Sequence, residues 1–270
     1  MKNTYAYTIW QWGTDTEEQF ETALREVSAV GFKWFESIGA TIEIFADRIE
    51  RFNELCEQYQ IFPCSFYIHL TADEGDKKRI RYALPFMQKV GVRAMTIQAP
   101  YKPGVPATRE ELDYTVRLME DLYPEFVDHN VFPSLHPHIN TTVERPEEIA
   151  YTFDNSDPAK LGFCPDTAHI VAGKGDPVEI ITKYKDRVTF THLKDIIGTV
   201  AYAAGMQGGV EVYTTFRELG EGEINFPKIF DTLRSIGYTG FLTTELDHSR
   251  FSNQRSAEIS LAYLQKHFPL

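Results

Sequence analysis

Three junctions in this chain share one pattern. SAVGFKWFE (28–36), QKVGVRAMTI (88–97) and RSIGYTGFLTTE (234–245) each put a glycine where a helical repeat of apolar residues stops and a β-branched or aromatic run begins. Glycine ends helices because it enters the left-handed region without steric cost. A helix that hands over at once to a strand is the crossover that parallel strands require. The strand-like runs end on Glu36, Tyr67, Gln98, His136, Asp166, His192 and Glu245, mostly 26 to 38 residues apart, with a last interval of 53. With an aromatic first run from Ala6 to Trp12 that makes eight strand-helix units. Eight units in 270 residues predict closure into a single (β/α)8 TIM barrel over residues 1–270, an α/β fold with a long loop after strand 7. A doubly wound open sheet is the runner-up; it usually carries GxGxxG after its first strand, and that fingerprint is absent here.

The intervening segments read as helices with local start and stop signals. Thr14 with Glu17 predicts a capping box ahead of Phe20, Ala23, Leu24, Val27 and Val30, and Thr108 with Glu111 predicts another ahead of Leu112, Val116 and Met119. Ile42, Phe45, Ile49, Phe52 and Tyr59 mark one further amphipathic helix. In the third helix Pro85 predicts a kink or a break, since proline removes a helix donor and crowds the preceding turn. A last helix is expected from about Ser256. Lys194 to about Glu223 is far longer than the usual connection, and its glycines and aromatics suggest a lid or subunit-contact loop.

Charge narrows the partners. There are 27 basic against 39 acidic residues, a formal net charge of −12, and no basic run. Nucleic acid and anionic membrane are excluded as expected partners, because phosphate binding relies on Lys and Arg. No stretch approaches the length of apolar sequence that spans a bilayer, and the first residues carry no apolar signal region, so a cytoplasmic protein is expected. Cys56, Cys64 and Cys164 form no CxxC pair and read as reduced core residues.

In a barrel, the carboxyl ends of neighbouring strands converge on one mouth. His136, Asp166, His192 and Glu245 end four consecutive strands, and two imidazoles with two carboxylates suit one divalent ion such as Mn, Co, Zn or Mg. His138, His169, Lys194 and Asp247 follow these residues by two or three positions and are candidates to orient substrate or ligand. Glu36, Tyr67 and Gln98 end strands two to four and are expected on the other side of the mouth. Singly, each of these is an ordinary loop or salt-bridge residue. The serial order of four ligand types carries the inference.

DTAH at 166–169, FTHLKD at 190–195, ELGEGEINF at 218–226 and YTGFLTTELD at 238–247, with the eight units, resemble the xylose-isomerase-like TIM-barrel superfamily. Within it they look like the sugar isomerase, epimerase and inosose dehydratase members. The resemblance implies one divalent ion held by an acid on strand five, Asp on six, His on seven and Glu on eight. Asp166, His192 and Glu245 match; the fifth strand carries His136 in LHPHINTTVE instead of the epimerases' Glu, which is the dehydratase-like pattern.

The expected activity is therefore that of an isomerase or epimerase acting on the keto form of a small sugar or polyol through an enediolate. Glu245 or His138 serves as base and Lys194 takes part in the chemistry. His169, Glu36, Tyr67, Gln98 and Asp247 are the expected substrate contacts. The alternative is an inosose-dehydratase-like lyase that expels a β-hydroxyl or β-glycosyl group after the same proton abstraction. Of other classes, an abasic-DNA endonuclease is opposed by the −12 charge, and a non-catalytic carbohydrate-binding or assembly subunit remains. A homo-oligomer is the expected assembly.

Overall fold

The computed structural model describes residues 2–198 and 214–270. Eight parallel strands form one sheet: β1 (Thr4–Thr8), β2 (Trp34–Ile38), β3 (Phe62–His69), β4 (Ala94–Gln98), β5 (Phe132–His136), β6 (Gly162–Phe163), β7 (His192–Leu193) and β10 (Phe241–Thr244). Their order is β6-β5-β4-β3-β2-β1-β10-β7. The two outer members meet through parallel bridges Phe163 to Val188 and Asp166 to His192, and the His192 N–H donates to the Pro165 carbonyl at 3.0 Å. That contact brings the sheet round on itself, as expected for a TIM barrel. The remaining strands, β8 (Asp195–Ile196) and β9 (Phe216–Arg217), pair antiparallel at the base of the long segment after β7. The expected lid falls largely on residues 199–213, which lie outside the described residues.

The helices are α1 (Glu17–Val30), α2 (Gly39–Phe45), α3 (Ile49–Tyr59), α4 (Gly75–Lys89), α5 (Arg109–Asp121), α6 (Tyr123–Asp128), α7 (Pro146–Asp154), α8 (Thr167–Ala172), α9 (Pro177–Lys183), α10 (Phe226–Ser235) and α11 (Asn253–His267). Gly31, Gly91 and Gly237, the three junction glycines, have φ of 118°, 77° and 71°, so all three use the left-handed freedom argued for them. The Thr108–Glu111 capping box forms as expected.

Four local expectations are corrected. The first strand stops at Thr8, and Trp10–Trp12 is a 3-10 turn. Thr16 and Gln19, not Thr14 and Glu17, make the α1 capping box, because the threonine two residues later meets the first helical N–H groups. The helix expected from Ile42 to Tyr59 is two, α2 and α3. The break that Pro85 could have made is absent, since it sits inside one continuous α4.

Side chains alternate across each strand, so residues two apart share a face. Phe163 packs outward among the large hydrophobic layer between sheet and helices, which also contains Phe20, Phe35, Phe52, Phe66 and Leu135. Its neighbour Cys164 points inward, against Ala6, Cys64 and Phe190, with Trp34, Ala94 and Phe241 packed on the same cluster. Two residues on from Cys164, Ala94–Thr96, Phe190 and Phe241–Thr243 along the inward rows stand Asp166, Gln98, His192 and Glu245. The barrel interior is thus apolar below and changes to ionisable side chains at the carboxyl ends.

Candidate metal centre

Asp166 begins α8 as its N-cap: Oδ1 accepts the His169 N–H at 2.6 Å, which leaves Oδ2 turned to the barrel axis. His136 ends β5 and is fully buried, with Nε2 3.5 Å from Asp166 Oδ2 and 3.5 Å from Glu245 Oε2. His192 opens β7 and brings Nδ1 to 2.6 Å from Glu245 Oε2. The donor atoms of these four residues lie within 4.8 Å of one another.

His136 Nε2, Asp166 Oδ2, His192 Nδ1 and Glu245 Oε2 are all buried, and apart from the close contacts among themselves none meets a well-aligned hydrogen-bond partner. Four orphaned polar atoms facing one point are costly unless something binds there. A divalent ion suits them: nitrogen and oxygen ligands at ~2.0–2.2 Å from one centre are themselves roughly 3–3.5 Å apart in tetrahedral geometry. The cluster could hold a metal ion.

The far nitrogens of both imidazoles are tied down in a way that turns the ligating nitrogens inward. Glu36 Oε2 is 2.5 Å from His192 Nε2, so that nitrogen donates and Nδ1 carries the lone pair. Glu36 Oε1 in turn accepts from the Thr96 hydroxyl. Tyr67 donates its hydroxyl to Gln98 Oε1 at 2.8 Å, and its oxygen lies 3.2 Å from His136 Nδ1. Nδ1 is then the donor on His136, and Nε2 keeps its lone pair. Burial, then Glu245 and Asp247, push the Tyr67 phenol well above its usual range, so it stays protonated for that role. Burial works against a charged His192, but Glu36 and Glu245 outweigh it and push it up to about 10. The position favours positive charge, which a proton or a metal ion on Nδ1 equally supplies.

Lys194 is fully buried, with Nζ 2.6 Å from Glu245 Oε1, 2.9 Å from Asp247 Oδ2 and 2.9 Å from His169 Nε2. Its backbone is held by Thr167, whose hydroxyl accepts the Lys194 N–H and donates to the Lys194 carbonyl. Burial opposes ionisation of Glu245, yet Lys194 and His192 hold its carboxyl well below the usual range. A cavity of ≈ 350 Å³ opens above, lined by Trp10, Ile38, Tyr67, His69, Gln98, His138, Glu245 and Asp247. His138 hangs from the buried turn after β5, where its N–H donates to Val143 O and its carbonyl accepts from the Thr141 hydroxyl. Its Nδ1 donates to Ile139 O at 2.6 Å, so the basic nitrogen is Nε2. Burial, with His136 and Lys194 nearby, holds His138 well below the ordinary imidazole range, and therefore neutral.

The four expected ligands thus meet at one point. Tyr67, Gln98, His138, Glu245 and Asp247 reach the cavity wall; Glu36 sits beneath His192, and His169 behind Lys194 with its ring 3.8 Å from that of His138. Trp10, Ile38 and His69 line the cavity without having been singled out. Trp10 follows the true end of β1, a boundary the aromatic run through Trp12 concealed.

The profile of the xylose isomerase-like TIM barrel family matches residues 24–267. An inosose dehydratase of Lactiplantibacillus plantarum is 24% identical over 254 residues, covering 92% of this chain and 79% of that protein. Inosose dehydratases of Clostridium tetani and Clostridium botulinum are each 26% identical, covering 86% of this chain and 83% of those proteins. Among solved structures, a D-allulose 3-epimerase from Methylomonas sp. superposes with TM-score 0.77 at 15% identity, covering 99% of this chain and 98% of that one. The probable 3-DHS dehydratase AsbF of Bacillus anthracis does so with TM-score 0.73 at 16% identity, covering 98% and 99%. An epimerase and a dehydratase share this fold, so the fold leaves the reaction open. A match over nearly the whole barrel settles descent: the chain belongs to the xylose isomerase-like TIM barrel family.

Proposed function

We propose that this chain is a divalent-metal-dependent lyase that removes water from the keto form of an uncharged polyol or sugar. One observation carries the reading: β5 presents His136 to the ligand set and the turn after it presents the neutral His138 to the cavity, where a two-carboxylate epimerase would present an acid. The matches to inosose dehydratases support it. A divalent ion held by His136, Asp166, His192 and Glu245 would stabilise negative charge developing on the carbonyl oxygen.

The remaining chemistry belongs to the side chains. His138 Nε2 takes the proton from the carbon beside the carbonyl, and the electron pair forms the new C=C bond as the β-hydroxyl departs. The imidazolium of His138 gives that proton to the leaving oxygen. Water leaves and the neutral imidazole is restored. Glu245, with Oε1 on the Lys194 ammonium and Oε2 in the ligand set, is better placed as ligand than as base. Trp10 and Ile38 offer an apolar wall, while Gln98, Tyr67 and Asp247 offer polar atoms to substrate hydroxyls.

The cavity also argues for an uncharged substrate. Among the described residues no Arg or Lys lines it, and the sequence of 199–213, TVAYAAGMQGGVEVY, contains neither. A phosphate or carboxylate would meet Glu245 and Asp247 with no Arg or Lys side chain on the cavity wall to pair with it.

Isomerisation or epimerisation is the second reading, favoured by the shared cavity exposure of His138 and Glu245, which offers two proton-transfer groups to one substrate. Incubating the manganese-loaded protein with a panel of keto-sugars and inososes in D2O, followed by NMR, separates the readings. Loss of water with a new enol or diketone spectrum is the expected result. Deuterium incorporation with a new stereoisomer and no loss of water supports the second reading, and neither exchange nor turnover across the panel leaves carbohydrate binding alone.

A further inference from the structure

Beside the four-residue ligand set lies a second group with the composition of a metal site. His169, Glu245 and Asp247 also bring one nitrogen and two carboxylate oxygens within 4.8 Å of one another. The two groups share Glu245, Oε2 facing the first and Oε1 the second. A carboxylate used in this way is the usual bridge between two cations held ~3.5–4 Å apart. The middle of the second group is taken by Lys194 Nζ, at 2.6, 2.9 and 2.9 Å from the three donor atoms. The ammonium has three N–H groups and three acceptors, so its hydrogen bonding is complete. Phe216 covers another side of it, with Nζ 4.3 Å from the ring centroid.

We propose that Lys194 is a built-in cation that occupies the position of a second metal ion, keeping the centre mononuclear and holding Glu245 with Oε2 turned to the first ion. The inference rests on reading the four-residue set as a metal centre. It gives Lys194 a positioning role in place of an acid-base one. A covalently attached single charge differs from a second divalent ion in two ways. It is not lost to chelators, and it offers no open coordination position to substrate or water. The centre would then present one ion to the substrate, with Lys194, His169 and Asp247 as a permanent supporting wall.

The test is ion stoichiometry, read without reference to turnover. Wild type, Lys194→Ala and Lys194→Ser are purified and dialysed in excess MnCl2, and manganese per chain is measured by mass spectrometry, with electron paramagnetic resonance reporting whether neighbouring ions couple. The expected result is one ion per wild-type chain, and two coupled ions in Lys194→Ala or Lys194→Ser. Lys194→Arg, which restores the charge, is expected to return to one. Two ions in wild type, or one in both small-residue variants, overturns the proposal. So does failure of both variants to fold in manganese, because the ion then does not replace the ammonium. No ion in wild type refutes the metal-centre reading itself, and this proposal with it.

Discussion

The residues of the site are held by partners that come from distant parts of the chain. His192 and Glu36 are 156 positions apart, and His136 and Tyr67 are 69 apart, yet each pair fixes which imidazole nitrogen faces the ligand set. Such outer partners typically contribute 10–100-fold in metal affinity. Glu36→Gln is therefore expected to weaken manganese binding by roughly 10–100-fold in an equilibrium titration, with the fold retained by circular dichroism; unchanged affinity would mean that Glu36 does not orient His192. His138→Gln tests the base. It should lower kcat/KM by roughly 10²–10⁴ while leaving manganese content at the wild-type level, and a matching loss of metal would instead make His138 a ligand. That His136, Asp166, His192 and Glu245 would meet was legible because strand ends recur at a regular interval and four successive ends are ligand types. The supports were not. That Glu36 would serve His192 rather than substrate depends on barrel closure, which no local pattern encodes.

At the scale of elements, the segment leaving β7 is anchored by one carboxylate. Asp195 accepts backbone N–H groups from Ile196, Gly220, Gly222 and Ile224, at 2.9 to 3.1 Å, and so gathers the returning chain beside the site. A Cβ on Gly222 would lie 2.3 Å from Asp195 Oδ1 and 2.6 Å from the Ile196 carbonyl. Gly222→Ala is expected to destabilise the protein by roughly 1–3 kcal/mol, measured by urea unfolding; a neutral outcome would show that this anchor contributes little. Glu218, next to β9, ties the same segment to α11 through the Ser256 hydroxyl and to Arg250. Burial raises its pKa, but Ser256 and Arg250 outweigh burial and hold it below the ordinary carboxylate value. Its contribution is present above the unfolded pKa and is lost as pH falls through the lower folded value. The stability gap between wild type and Glu218→Gln should accordingly narrow on acidification below about pH 4.5, and a gap independent of pH contradicts that role. In sequence, these elements were visible as a long insertion rich in glycine. Its antiparallel hairpin was not, since two-residue strands carry no periodicity. The division of the second helix was hidden for a related reason: α2 and α3 bury Ile42, Phe45, Phe52 and Leu55 against one common core, so the apolar spacing runs across the break.

For the molecule as a whole, eight strand-helix units were enough to expect a barrel, and the sheet order together with the bridges between β6 and β7 gives that expectation its geometry. No helix among the described residues is long and apolar enough to cross a membrane. The interior divides by height: Cys64, Cys164 and Phe190 pack below, and His136, Asp166, His192 and Glu245 stand above them at the carboxyl ends of β5, β6, β7 and β10. Small differences of register would move a ligand from the mouth to the outer face, because neighbouring positions point oppositely. The pairing of Gln98 with His136 and of Thr243 with His192 keeps the ligand-bearing ends level. This levelling brings the four donor atoms within reach of one ion, which is what the metal-centre reading requires. Anomalous diffraction from manganese-soaked crystals tests that claim most directly. The account predicts a single manganese peak per chain at ~2.0–2.3 Å from His136 Nε2, Asp166 Oδ2, His192 Nδ1 and Glu245 Oε2; a barrel mouth without a peak, or a peak bound by other residues, contradicts it.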